Sequence, residues 1–197
     1  MLEEHKFPLE SFIGGWYINP NVCSALIDLF HKNPQLHKEG VVGGPYNVNK
    51  ENKDSVDLGI HPDYTDPAFM EYKKMLKQCA GLYEKKYPEV KNFNPWGMNE
   101  GANIQYYKPG GGYPAEHCEI MSYSTSHRIM AFMTYLTDTK NGGTEFTYLN
   151  WKAPCKKGLT LIWPANYIYA HKGVISKTED KMIITGWLGF NKGEQNE

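Results

Sequence analysis

Residues 101–121 read GANIQYYKPGGGYPAEHCEIM and hold two short β-prone runs, 101–108 and 115–121, on either side of a turn rich in proline and glycine. From residue 99 onward the chain continues as short alternating runs separated by Gly, Pro and Asn. Such runs, with no helical pattern between them, are typical of antiparallel sandwiches and barrels. Further strands are predicted at 128–137, 143–149, 158–163, 167–171 and 181–190, with turns at 108–112, 141–143 and Gly173.

The first half of the chain carries two helix signatures instead. Asn19-Pro20 and Asp66-Pro67 each place a capping side chain before a proline at the first helical position. Apolar residues then recur with helical spacing, which predicts one helix over about 20–32 and a longer one from 67 to near Pro88. We expect these helices to cover one sheet of the β region.

The segment between the two helices, residues 37–65, has glycines, several asparagines and only short apolar pairs. This pattern predicts strand fragments and a mobile loop. A chain of 197 residues suits one well-buried domain better than two. We therefore predict a single domain over 1–197, with helical support and an irregular loop in 1–98 and a β core in 99–191.

Composition and charge exclude several classes of protein. Hydrophobic residues make up 41% and aromatic residues 14% of the chain, which is not a disordered composition. A net charge of −1 and the lack of any Lys/Arg block give no indication of nucleic-acid binding. No run approaches 18 apolar residues, and residues 1–10 are charged, so we expect a soluble, cytoplasmic protein without a membrane partner.

The four cysteines lie far apart and form no C-x-x-C pair. Neither a zinc site nor a disulfide framework is therefore indicated, and free thiols are expected.

His117 and Glu119 form an H-x-E pair directly after the glycine-rich turn. On a β-strand, positions i and i+2 point to one face, about 7 Å apart along the strand, so both side chains can bind one metal ion. A second imidazole from a distant strand would complete two histidines and a carboxylate on one face of the ion, the arrangement of non-haem Fe(II) sites that activate oxygen. His171 is the candidate. The alternative interpretation of His117 and Glu119 is that they are two polar residues on a surface strand and bind no metal.

Lys181 opens the β-prone run 181–190, in which alternation places Lys181, Ile183, Thr185 and Trp187 on one face. The lysine is either an exposed residue at a strand start or a buried cation that awaits a carboxylate. His127 lies beside Arg128 and is either solvated or close to the metal or the substrate. The remaining histidines are interpreted as solvated or helix-end residues: His5, His31, His37 and His61.

Residues 103–190 resemble the Fe(II)- and 2-oxoglutarate-dependent oxygenases, specifically the prolyl 4-hydroxylase-like branch. The matching pieces, in order, are Asn103 to Tyr107, Pro109-Gly110, Gly112-Tyr113, His117-Cys118-Glu119, Arg128, Tyr135-Leu136, Gly142 to Phe146, Gly158, His171 and Lys181 to Trp187. The ordered set covers nearly half of the chain, and the first hundred residues match less clearly. The resemblance implies a double-stranded β-helix, also called a jelly roll, with iron at its open end.

The resemblance also implies roles for individual residues. His117, Glu119 and His171 would be the iron ligands, and Lys181 would pair with the distal carboxylate of 2-oxoglutarate. Two tyrosines, Tyr135 and Tyr107, fall where relatives line the pocket of this cosubstrate. Arg128 and Trp187 match positions near the substrate entrance, although an ion-paired arginine and a core tryptophan are alternatives.

The activity implied is oxidative decarboxylation of 2-oxoglutarate with O2, which gives succinate and CO2 and hydroxylates a C–H bond of the substrate. A prolyl residue of a protein or peptide is the first substrate class, and a free amino acid or other small molecule is the alternative. Glu119 departs from this branch, which normally has aspartate in the motif. This departure keeps open a non-catalytic binding or sensing module. A cupin-like metalloenzyme is disfavoured, since cupins usually supply more histidines.

Overall fold

The computed structural model describes residues 2–42 and 47–191, so residues 43–46 of the predicted loop lie outside the described part. Two α-helices precede most of the strands: α1 (Pro20–Lys32) and α2 (Pro67–Lys86). The strands are β1 (Glu3–Glu4), β2 (Gly14–Tyr17), β3 (Lys38–Glu39), β4 (Val56–Ile60), β5 (Trp96–Gly97), β6 (Ala102–Tyr107), β7 (Arg128–Tyr135), β8 (Thr144–Phe146), β9 (Trp151–Ala153), β10 (Leu159–Pro164), β11 (His171–Gly173) and β12 (Lys181–Phe190).

Both predicted helices are confirmed, and their first turns are capped as the sequence indicates. The Asn19 side chain accepts a hydrogen bond from the Asn21 N–H at 3.0 Å, and the Asp66 side chain accepts one from the Ala68 N–H at 2.8 Å. These bonds satisfy backbone donors that have no partner inside a helix. No helix among residues 2–42 and 47–191 is long and apolar enough to span a membrane. All four cysteines are free.

The strands form two antiparallel sheets. The larger has the order β1-β2-β10-β7-β12-β6-β4-β3, and β5 pairs with the far end of β12. The smaller has the order β11-β8-β9. The buried hydrophobic residues form two clusters, and β7 contributes to both. Phe132 packs with the helices, whereas Met133 and Tyr135 pack with Phe146 of the smaller sheet. The larger sheet therefore has helices on one face and the smaller sheet on the other.

Two predicted strands are wrong. Residues 115–121 form one isolated bridge, between His117 and His171, because the next backbone donors, Glu119 and Ile120, both turn to the Ala165 carbonyl instead of continuing a ladder. Residues 167–169 form a 3-10 turn, since the Asn166 side chain accepts from the Ile168 N–H at 3.1 Å and starts a turn there. Gly173, expected in a turn, lies in β11.

Two glycines offer a matched test of the packing. A Cβ at Gly143 would overlap the backbone carbonyl of Ala153, whereas a Cβ at Gly81, within α2, would meet nothing within 4 Å. Gly143→Ala should lower the free energy of unfolding by about 3 kcal/mol. Gly81→Ala should raise it by about 0.5–1 kcal/mol, since alanine favours the helix. Urea unfolding of both variants measures the difference, and equal effects would contradict the packing described here.

Candidate active site

The structure brings His117, Glu119 and His171 together. One ligand atom from each lies within 4.8 Å of the others. His171 Nε2 is 3.5 Å from Glu119 Oε1, and the two imidazole centres are 4.4 Å apart. The backbone bridge explains this convergence, because the N–H groups of His117 and His171 each donate to the other residue's carbonyl, at 3.0 and 2.9 Å. Three groups that are remote in sequence therefore face one point.

Both imidazoles are held in the orientation that a metal ligand needs. His117 Nδ1 lies 2.9 Å from the Ala115 carbonyl, and His171 Nδ1 lies 3.0 Å from the Tyr169 carbonyl. A carbonyl only accepts, so each Nδ1 donates its proton there, and each Nε2 is the ring nitrogen left to face a metal. Burial, and then the neighbouring His117, lower the pKa of His171 to about 4, so its ring is neutral at physiological pH.

Aromatic rings fix the imidazole planes. Tyr113 stacks on His117 with centres 3.9 Å apart and planes 9° apart, and Trp163 meets His171 edge-on at 5.1 Å. Two imidazole nitrogens and one carboxylate oxygen, held this way, fit a divalent ion such as Fe(II) with open positions.

The three residues lie in the wall of a cavity of about 780 Å³ between the two sheets. The other residues of sequence interest that line this cavity are Lys181, Tyr135, Tyr107, Arg128 and Trp187. The alternation predicted for β12 is confirmed, since Lys181, Ile183, Thr185 and Trp187 all face the cavity.

Lys181 is a buried cation, because its residue surface is only 5% exposed. Its Nζ donates to the Val174 carbonyl at 3.2 Å and lies 4.9 Å from the centre of the Tyr107 ring. Among the described residues, no carboxylate lies within 4.0 Å of this Nζ. Burial lowers the pKa of Lys181 to about 8. An anion that entered the cavity would relieve this unpaired buried charge.

Tyr135 and Tyr107 each present a phenol to the cavity wall. The Tyr135 hydroxyl donates to Thr144 Oγ1 at 2.8 Å, and the Tyr107 hydroxyl donates to the Gln105 side chain. Burial raises the pKa of both tyrosines, so they are neutral donors. Gln105 and Thr144 each belong to a matching motif, but the sequence analysis gave neither of them a role of its own.

Arg128 is ion-paired. Its Nε and one terminal nitrogen donate to the two carboxylate oxygens of Glu100 at 2.7 and 2.6 Å. The guanidinium carbon lies 3.5 Å from the centre of the Trp187 ring. His127 Nε2 lies 3.0 Å from the same Glu100 carboxylate, and His127 is not part of the cavity wall.

A second polar group in the cavity wall was missed by the sequence analysis. Lys53 and Asp57 form an ion pair at 2.6 Å, with side chains only 5% and 9% exposed. Asp57 also accepts hydrogen bonds from Ser55 at 2.7 Å and from Asn103 at 2.8 Å. Lys53, Ser55 and Asp57 come from the segment interpreted as an irregular loop, where no local pattern indicates a buried charge.

The facing sheets, with the helices behind the larger one, form a jelly roll, and the predicted fold class is confirmed. No family model matches the sequence, and no curated protein matches it. Solved structures do. A viral collagen prolyl hydroxylase from Paramecium bursaria Chlorella virus-1, solved as a 2-oxoglutarate complex, superposes with a TM-score of 0.68 at 18% identity over 91% of this chain and 97% of the viral one.

Two further solved structures agree. A Pseudomonas putida prolyl-4-hydroxylase gives a TM-score of 0.68 at 12% identity, covering 92% of this chain and 94% of the bacterial one. A Trichoplax adhaerens prolyl hydroxylase, in complex with a peptide fragment of the hypoxia inducible factor oxygen degradation domain, gives 0.66 at 14% identity, covering 91% of this chain and 84% of its own. At such identities the similarity establishes the fold.

Proposed function

We propose that this protein is an Fe(II)- and 2-oxoglutarate-dependent dioxygenase that hydroxylates an unactivated C–H bond, with a prolyl residue of a protein or peptide as its substrate class. One observation carries the proposal: two imidazoles and a carboxylate converge in a cavity that also holds a buried, unpaired ammonium group. The imidazoles and the carboxylate suit a metal with open coordination positions, and the ammonium group suits a dicarboxylic cosubstrate.

In this proposal His117 Nε2, Glu119 Oε1 and His171 Nε2 hold the iron. When bound with 2-oxoglutarate and O2, the iron supplies oxidation of the substrate C–H bond, coupled to release of succinate and CO2. The chain's own contribution is to orient both imidazoles through the Nδ1 bonds to the Ala115 and Tyr169 carbonyls, and to keep His171 neutral by burial.

Lys181 is proposed to bind the distal carboxylate of 2-oxoglutarate, and Tyr135 and Tyr107 to line that end of the cavity. The ammonium has donors to spare after its single bond to Val174, and burial beside the Tyr107 ring strengthens a charge pair formed there. Fixing both ends of the cosubstrate would discriminate against acids that lack the 2-oxo group.

The substrate class rests on the solved structures of the same fold. They include a collagen prolyl hydroxylase and an enzyme in complex with a peptide fragment. A proline-containing peptide is therefore the first substrate to test. A free amino acid is the second, because the cavity wall near Lys53 and Asp57 is strongly polar.

Anaerobic titration with Fe(II) and 2-oxoglutarate tests the proposal directly. We expect a visible charge-transfer band that needs both additions, and succinate formation once air is admitted. Glutarate is the matched control, since it keeps both carboxylates but lacks the 2-oxo group needed for chelation, so it should give no band. Bound iron without a band or succinate would contradict the proposal. Thermal stabilisation by 2-oxoglutarate without any turnover would indicate a sensing module instead.

The pKa of Lys181 predicts the pH dependence of cosubstrate binding. Only the protonated amine pairs with a carboxylate, and its pKa in the free protein is about 8. The affinity for 2-oxoglutarate should therefore be constant below pH 7 and fall by up to about tenfold per pH unit above pH 8. Calorimetry on Mn(II)-loaded protein measures this. Lys181→Arg, which does not titrate in this range, should remove the pH dependence; a flat wild-type profile would contradict the assignment.

A further inference from the structure

The carboxylate of Glu119 uses its two oxygens differently. Oε1 lies 3.5 Å from His171 Nε2, whereas Oε2 accepts a hydrogen bond from Trp187 Nε1 at 2.5 Å. An indole N–H is a donor only, so the bond has a single direction. The contact therefore determines which oxygen of Glu119 faces His171.

Trp187 is in turn held by Arg128. The guanidinium carbon lies 3.5 Å from the centre of the indole ring, a close cation–π contact. The same guanidinium donates to the main-chain carbonyl of Glu119 at 3.2 Å. Arg128 therefore contacts both the tryptophan and the backbone that carries the carboxylate.

Glu100 fixes the plane of the guanidinium. Its carboxylate takes two hydrogen bonds from Arg128, and the two side chains are only 26% and 14% exposed. A two-point arginine–carboxylate pair at such low exposure has a defined geometry. Glu100 is 28 residues from Arg128 in sequence, so the pair depends on the complete fold.

We propose that Trp187 is a positioning residue for the metal-binding carboxylate and that Arg128 and Glu100 keep it in place. The inference rests on the proposed function, since it concerns the same metal. A carboxylate can bind a metal through one oxygen or through both. With Oε2 engaged by the indole, Glu119 offers Oε1 alone and takes a single coordination position. The extra methylene of glutamate is what allows one side chain to reach both partners.

The metal-free protein gives the first test, by ¹H–¹⁵N NMR of the indole groups. The chain has five tryptophans, and Trp187→Phe identifies the signal of Trp187. We expect this signal to be the one shifted downfield by a strong hydrogen bond. In Glu119→Ala it should move upfield and exchange with solvent about tenfold faster. An unchanged Trp187 signal in Glu119→Ala would overturn the positioning role without bearing on the metal.

A double-mutant cycle on Co(II) binding gives the second test. Trp187→Phe keeps a ring for Arg128 but removes the donor, and we expect about tenfold weaker Co(II) binding. Trp151→Phe is the matched control: it is the same change at a half-buried tryptophan outside the cavity wall, and affinity should be unchanged. In a Glu119→Asp background, Trp187→Phe should change affinity less than about twofold, since the shorter acid cannot use the indole.

The outcomes are distinguishable. An equal loss from Trp187→Phe in both backgrounds would overturn the positioning role, and so would an equal loss from Trp151→Phe. Absence of Co(II) binding by the wild-type protein would overturn the proposed function instead. Glu100→Gln tests the contact between Glu100 and Arg128, because it weakens this ion pair. The Trp187 indole signal should then shift in the same direction as in Glu119→Ala, by a smaller amount.

Discussion

His171→Ala is expected to abolish stoichiometric Fe(II) binding and all succinate formation. The variant removes one of the three proposed ligand atoms and leaves a methyl group that cannot coordinate. Loss of a residue that merely supports a ligand weakens metal binding 10–100-fold, so loss of the ligand itself should cost more than about a hundredfold. Iron content after anaerobic dialysis and succinate measured by chromatography report the two effects. Glu119→Ala should behave in the same way.

His37→Ala is the matched control for this experiment. His37 stacks on Phe30 at 4.0 Å beside the end of α1, outside the cavity wall, so its loss should leave iron binding and turnover unchanged. Because His171 packs against Trp163 and Phe146, folding of His171→Ala has to be checked by circular dichroism. A folded His171→Ala protein that still retained one equivalent of iron would remove the basis of the proposed function.

Local sequence signals predicted the elements whose cause is local. Asn19 and Asp66 start the two helices because a side-chain cap acts within one turn. The alternation along β12 placed Lys181 and Trp187 on one wall because a long paired strand keeps its period of two. These features needed no knowledge of the rest of the fold.

The H-x-E pair was selected for a partly wrong reason. His117 and Glu119 are not in a regular strand, and the stretch is positioned by one backbone bridge to His171 and by the Ala165 carbonyl. The residues nonetheless converge, because the bridge fixes His117 next to His171 whatever the conformation of its neighbours. Pairing between distant segments, not strand alternation, therefore determines the geometry of this site.

The contacts missed from sequence are long-range pairings. Asp57 meets Asn103 because β4 pairs with β6, and Glu100 meets Arg128 across 28 residues. A single sequence contains no signal for such pairings, since each residue alone resembles a solvated charge. For the same reason the sequence could not identify the partner of Arg128, and an ion pair was only one of the interpretations considered.

Lys181→Met is expected to weaken 2-oxoglutarate binding by more than about a hundredfold while leaving metal affinity unchanged. Loss of one partner of a buried charge pair costs about 3 kcal/mol, and each 1.36 kcal/mol is a factor of ten. Methionine has a similar length and no charge, so the cavity keeps its shape. Calorimetry with Mn(II)-loaded protein measures the loss. Lys152→Met, at an exposed lysine paired with Glu145, is the control and should bind normally.

The same substitution should stabilise the protein, which separates loss of binding from loss of structure. Burial lowers the pKa of Lys181 from 10.5 to about 8, so between these values the folded state binds fewer protons than the unfolded state. The free energy of unfolding of the wild type should therefore rise with pH over this range. Below pH 8 the desolvated ammonium is a net cost, and Lys181→Met should be more stable by about 1–3 kcal/mol. The advantage should shrink toward pH 10.5. A variant that is destabilised at pH 7, or that binds 2-oxoglutarate within threefold of wild type, would show that this lysine is not the unpaired buried cation on which the cosubstrate assignment depends.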